Sequence, residues 1–85
     1  MITNRDILEI FQKNIPSGKP ISVYSILEMV ENNFPLDEYD NSPNDSEISR
    51  GQTYPRWKRK VQAALHKLKK DGLIQHNEIS KEYIF

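Results

Sequence analysis

Between Trp57 and Leu68 the apolar residues Trp57, Val61, Ala64, Leu65 and Leu68 recur at steps of one, three and four. That spacing puts them on one face of a helix. Pro55 before the stripe suits a first turn, where its missing N–H costs nothing. Gly72 after it suits a left-handed stop following a Lys-rich last turn, which complements the helix dipole. The sequence therefore predicts an amphipathic helix from about Pro55 to Asp71, with Thr53 or Tyr54 as the flanking cap. The rest of this helix is basic. From Arg50 to Lys70 there are eight Lys/Arg and no Asp or Glu, although the whole chain balances 12 bases against 12 acids. For a polyanion the local patch matters more than the sum.

Two further helices are predicted upstream. Thr3 followed by Asp6 is a capping-box-like start for a helix from about Asn4 to Asn14, with Ile7, Leu8, Ile10 and Phe11 as its apolar face. Pro16 disfavours helix at Ile15 and ends it. Ser22 can cap a second helix, about Val23 to Asn33, whose apolar positions are Val23, Ile26, Leu27 and Val30, with Phe34 just beyond. Lys19 to Ser22 reads only as a single extended step. Residues 35–53, PLDEYDNSPNDSEISRGQT, read as a long polar connection of turn chemistry, which Tyr39 and Ile48 are expected to pin. It holds Asp37, Glu38, Asp40, Asp45 and Glu47 and no base before Arg50. A loop of this length inside a small domain tends to be functional or mobile. After Gly72, Leu73–His76 and Glu82–Phe85 read as two strands joined by a turn.

Composition sets the limits. Eighty-five residues make one domain, 1–85, with a small core that buries roughly 60% of the unfolded surface. No cysteine is present, so disulfides and Cys-based zinc sites are excluded. No apolar run approaches the ~18 residues of a membrane span, and the first residues are not a secretory signal. The expectation is a cytoplasmic, nucleoid-associated protein. His66 and His76 have no partners at metal-ligand spacing, and DEYDNSPND (37–45) lacks the glycine and ligand order of a calcium loop. Neither a metal, a cofactor nor a small-molecule ligand is expected. Nor is an enzyme: there is no G-x-S-x-G, no phosphate-cradling glycine loop and no Cys nucleophile.

The run Trp57-Lys58-Arg59-Lys60-Val61-Gln62-Ala63-Ala64-Leu65-His66-Lys67-Leu68-Lys69-Lys70-Asp71-Gly72-Leu73-Ile74 resembles the end of the reading helix in winged-helix domains: an aromatic, then A-L-x-x-L-x-x-x-G-L-I, then the wing. It is similar to the N-terminal winged helix of Mrr-type restriction endonucleases and to the accessory winged helix of some modification-dependent restriction enzymes. The resemblance implies an α+β, mostly α fold: a winged helix-turn-helix of three helices and a C-terminal β-hairpin wing, with the acidic loop between the second and third helices. It also implies that this domain binds duplex DNA while a separate C-terminal nuclease domain cuts it, and that methylated DNA is a ligand to test. A strand closing at Phe85 fits a module of a longer chain. The chain departs from the pattern in its long acidic loop and in a short wing whose one base, Lys81, sits between Glu78 and Glu82.

On a wheel of 100° per residue, Arg59, Ala63, His66 and Lys70 lie opposite the apolar stripe, with Arg56, Gln62 and Lys67 beside them. Arg bonds guanine edges bidentately and Gln does so with adenine, so Arg56, Arg59 and Gln62 suit base readout, and Ala63 suits close approach or a thymine methyl. Lys58, Lys60, Lys67, Lys69 and Lys70 suit phosphates. Thr53, Tyr54 and Lys81 complete the expected DNA contacts, together with Ser22 and Tyr24 at the second helix start, where phosphate contact and ordinary capping are both open. Trp57 belongs to the core. The rival expectation is a winged helix that docks a protein or a second copy of itself through its first helix or wing, without DNA; RNA ranks below both.

Overall fold

The structure, a computed structural model, describes residues 1–51 and 53–85, and for 46 and 47 the backbone alone. In chain order the elements are α1 (Asn4–Asn14), β1 (Pro20–Ser22), α2 (Val23–Asn33), α3 (Glu38–Asn41), α4 (Asp45–Ser49), α5 (Arg56–Lys70), β2 (Gln75–Asn77) and β3 (Glu82–Ile84). The fold is α+β, about half helical, with one small antiparallel sheet.

Local chemistry sets the helix ends. At the start of α1 the Thr3 hydroxyl accepts the Asp6 N–H at 3.2 Å and the Asp6 carboxylate accepts the Thr3 N–H at 2.8 Å. This is a reciprocal capping box with Asp in place of Glu. α2 is capped by Ser22, whose hydroxyl accepts the Ser25 N–H. α5 ends as its sequence predicts: Gly72 has φ 76°, its N–H reaches the Lys69 carbonyl, and the Leu73 N–H reaches the Leu68 carbonyl. Those two bonds close a Schellman motif.

The start of α5 differs from expectation. Pro55 is its N-cap and neither Thr53 nor Tyr54 caps it with a side chain. Instead the Arg56 N–H donates to the Ser42 carbonyl at 2.9 Å. The stretch predicted as a polar loop is thus no plain loop, because α3 and α4 fold within it and the carbonyl at the end of α3 receives the first N–H of α5. Tyr39 pins this segment, with the Arg56 guanidinium 4.2 Å from its ring centroid, whereas Ile48 is exposed.

Asp40 explains why α3 forms. It is wholly buried and accepts the Ile2 N–H at 3.0 Å and the Asp37 N–H at 3.2 Å. Asp37 in turn accepts the Asp40 N–H at 2.8 Å, a second capping box. A carboxylate out of water needs such donors. Lys60 Nζ donates to the Ile2 carbonyl at 2.8 Å, so the same short segment is tied to α5 as well.

The sheet order is β1-β3-β2. The hairpin is shorter than the sequence suggests, and it gains a third strand: the extended step Pro20–Ser22 pairs with β3, Ile21 opposite Tyr83, while His76 of β2 lies opposite Tyr83 on the other side. The core holds Ile7, Ile10 and Phe11 of α1, Ile26 and Val30 of α2, and Trp57, Val61, Ala64 and Leu65 of α5, closed by Ile74 from the sheet side. Phe85 meets Phe11 edge-on at 5.5 Å. Leu8, assigned to the apolar face of α1, is on the exposed side of that face.

Two outcomes follow for stability. Asp40→Ala should leave the buried Ile2 N–H and the part-buried Asp37 N–H without this acceptor and cost about 1–3 kcal/mol; Asp40→Asn, which keeps one acceptor oxygen, should cost less. An unchanged urea midpoint for Asp40→Ala would contradict this account of α3. The second concerns acid. The Thr3 N–H holds the Asp6 carboxyl below its ordinary value, the chain's amino terminus does the same for Asp37, and Lys69 for Glu78. Folded values below unfolded ones mean that the contribution is complete above the ordinary carboxylate range and is lost as pH falls through the folded values. Urea midpoints should therefore be steady from about pH 7 to 5 and fall below about pH 4, less steeply in Asp6→Asn.

Candidate nucleic-acid interface

With its apolar stripe turned inward, α5 presents two flanks. On one, Gln62 and His66 face a groove of 590 Å³ completed by Val23 and Tyr24 of α2, His76 and Tyr83 of the sheet, and Lys81. The groove brings together four of the predicted contact residues: Tyr24, Gln62, His66 and Lys81. Tyr24 is 80% exposed at its edge. His76 and Tyr83 were not among the predicted contacts; their rings pack 4.4 Å apart on the groove's sheet side. The sequence signal that could have found them is an imperfect alternation, in which Ile74 and His76, then Tyr83 and Phe85, can share one face of the hairpin.

Lys81 reaches the rim through an unusual backbone. The Asn77 side-chain oxygen accepts the N–H groups of Ile79 and Ser80, and the Lys81 N–H donates to the Asn77 carbonyl. This tight turn leaves Lys81 at φ 61°, the one non-glycine residue at positive φ among those described. The left-handed region costs an ordinary residue about 1–2 kcal/mol.

Tyr54, just ahead of α5, gathers the first turns of the same flank. Gln62 Nε2 donates to its hydroxyl at 2.8 Å. The Arg59 guanidinium lies 4.9 Å from its ring centroid and the Lys58 ammonium 5.9 Å. Lys58 also lies 5.6 Å from the Trp57 ring centroid. Thr53 is exposed beside Tyr54, and His66 and Lys70 are exposed further along α5.

The other flank is of a different kind. Ala63 and Lys67 line a concavity of 380 Å³ with Asn4, Leu8, Leu68, Asp71 and Leu73. A neighbouring one of 300 Å³ shares Leu8, Leu68 and Leu73 and adds Phe11 and Phe85. Leu73 is 67% exposed here. Lys67 pairs with Asp71 at 3.2 Å, and Lys69 pairs with Glu78 of the hairpin turn at 3.3 Å. Such exposed pairs are weak enough to exchange for other anions.

Three predicted contacts are placed elsewhere than on the outward face. Arg56 is only 17% exposed; it sits over Tyr39, donates to the Tyr39 carbonyl at 3.4 Å and lies 3.8 Å from Asp45. The wheel could not register α3 and α4, which draw it toward themselves. Lys60 is half-buried on the Ile2 carbonyl. The Ser22 hydroxyl is engaged within α2, accepting the Ser25 N–H and donating to the Ser25 hydroxyl at 3.0 Å.

Among the described residues no three of His, Asp and Glu gather as a metal site, and no helix is long and apolar enough to cross a membrane. The chain matches no family model, no curated protein and no solved structure.

Proposed function

We propose that this domain is a winged-helix module that binds duplex DNA, with α5 as the reading helix in the major groove and the β2–β3 hairpin as the wing against the backbone. The observation that carries the reading is the groove in which Gln62 and His66 of the basic helix meet Tyr24 of α2 and Lys81 of the hairpin turn. Lysines and arginines supply the sequence-independent attraction to phosphate. Gln62 and Arg59 supply base-edge chemistry. The backbone of Lys81 adds a second support: strain at a non-glycine residue often accompanies function, and here it places a cation on the groove's rim. In this reading Arg56 and Lys60 hold the fold, and contact falls to Tyr24, Thr53, Tyr54, Lys58, Arg59, Gln62, Ala63, His66, Lys67, Lys70 and Lys81. The chain binds and does not cut. The resemblance of Trp57–Ile74 to Mrr-type domains makes it the targeting module of a restriction or other DNA-processing protein, nucleoid-associated, with a small regulator as the other setting.

One observation favours the rival reading. The apolar concavities around Leu8, Leu68 and Leu73 would suit protein docking or a second copy of the chain.

Anisotropy titration of short duplexes, plain and methylated, at two salt concentrations separates the two. Duplex binding should weaken with a log–log slope of about −0.9 for each phosphate neutralised. Slope and affinity that ignore salt would sink the DNA reading, and concentration-dependent mass without duplex binding would favour the rival. Lys81→Gly gives a sharper outcome. It should lower affinity for all duplexes alike and reduce the slope by about 0.9, while stability is kept or rises by up to about 1 kcal/mol as left-handed strain is relieved. Weakened binding accompanied by equal destabilisation would show that Lys81 serves the turn instead.

A further inference from the structure

We infer that Tyr54 is a positioning residue for base readout: it orients Gln62 toward adenine and Arg59 toward guanine from one aromatic platform. The inference rests on the DNA-binding reading above.

The geometry of the amide carries the first half. Gln62 Nε2 donates one N–H to the Tyr54 hydroxyl at 2.8 Å. A primary amide has two N–H donors and one carbonyl acceptor. What remains on Gln62 is one donor and the carbonyl oxygen, the pair that adenine N7 and the N6 amino group require. An exposed Gln otherwise samples many rotamers, and ordering it at the interface costs affinity. The bond to Tyr54 imposes that order before any ligand arrives. It also fixes which amide end faces outward, and so distinguishes adenine from a base with the opposite donor order.

The ring carries the second half. The Arg59 guanidinium stands 4.9 Å from the Tyr54 centroid, within cation–π range. Contact through the aromatic face restricts the directions a guanidinium can take. Tyr54 is itself half-buried and directly precedes Pro55, the N-cap of α5. Pro55 restricts the Tyr54 backbone to extended conformations, so the platform has little freedom of its own. One side chain thus sets two readers a turn of helix apart, and its hydroxyl and its ring act on different ones.

That division makes the test. A duplex library with a randomised centre is selected on the wild-type chain, and the preferred duplex with its single-base variants is then titrated by anisotropy against wild type, Gln62→Ala, Arg59→Ala, Tyr54→Phe and Tyr54→Leu. The single alanine variants assign one adenine and one guanine preference, each of about 5- to 150-fold. Tyr54→Phe should reduce the Gln62-dependent preference at least about fivefold and leave the Arg59-dependent one within about twofold. Tyr54→Leu should reduce both. The thermal midpoint, followed in parallel, should change little in Tyr54→Phe. Retention of both preferences in Tyr54→Phe and Tyr54→Leu overturns the inference, as does a loss shared equally by all duplexes. Salt-sensitive wild-type binding with no preference traceable to Gln62 or Arg59 overturns it while leaving the DNA reading intact. No duplex binding by wild type removes both.

Discussion

Trp57, Val61, Ala64 and Leu65 are all buried, and their burial fixes the rotation of α5 about its own axis. Everything else about the surface follows from that rotation. A helix turns 100° per residue, so once the stripe faces Ile7, Ile26 and Val30, Gln62 and His66 must face one flank and Ala63 and Lys67 the other. The stripe also sets the scale of what holds it. In a domain this small a large aromatic contributes a disproportionate share of apolar burial, and Trp57 sits where α5 begins. The end of the helix is fixed independently, by Gly72 and its two backbone bonds, so the hairpin leaves α5 in a defined direction.

The acidic stretch opposes the basic helix in sequence, yet two of its carboxylates serve the fold. Asp37 and Asp40 turn toward Ile2 and the chain's start, where they cap α3 and accept backbone N–H groups. Asp45 approaches α5 at Arg56, at the helix start. Arg56 and Lys60, both in the first turns of α5, lose outward reach. The basic character that remains is therefore shifted toward the middle and end of the helix, beside the hairpin.

The sequence was most legible where structure is local. α1 and α2 fall on their predicted bounds because Thr3-Asp6 and Ser22 are capping signals whose partners are three residues away. Trp57 was placed in the core because a period of 3.6 needs only its own neighbours. What escaped was non-local. Pro20–Ser22 is too short to show alternation, and it becomes a strand only because β3, from the far end of the chain, supplies its hydrogen bonds. α3 escaped because its residues read as turn chemistry; capping boxes and turns use the same Asp and Asn, and what decides for helix here is the buried contact of Asp40 with Ile2. Arg56 was misplaced for the same reason: a helical wheel records the angle of a residue and not what another segment lays over it. The groove itself was half legible, since Gln62, His66, Tyr24 and Lys81 were each singled out, but their meeting depends on the packing of three separate elements.

The two flanks of α5 bear on the choice between the readings because they differ in chemistry and not only in position. One carries an amide, imidazoles, phenols and a lysine around a groove; the other carries Leu8, Leu68 and Leu73 with a salt-bridged rim of Lys67 and Asp71. Aliphatic surface gains from leaving water and is indifferent to salt, whereas attraction to phosphate is lost as salt rises. The ridge between them, Arg59, His66 and Lys70, is polar and basic and belongs with the first flank. Occupation of the aliphatic flank would thus leave that ridge and the groove beside it uncovered. The two flanks are not wholly separate, because Ala63 and Lys67 line the aliphatic concavity and also stand among the proposed duplex contacts; a partner seated there and a duplex on α5 would meet at those two residues.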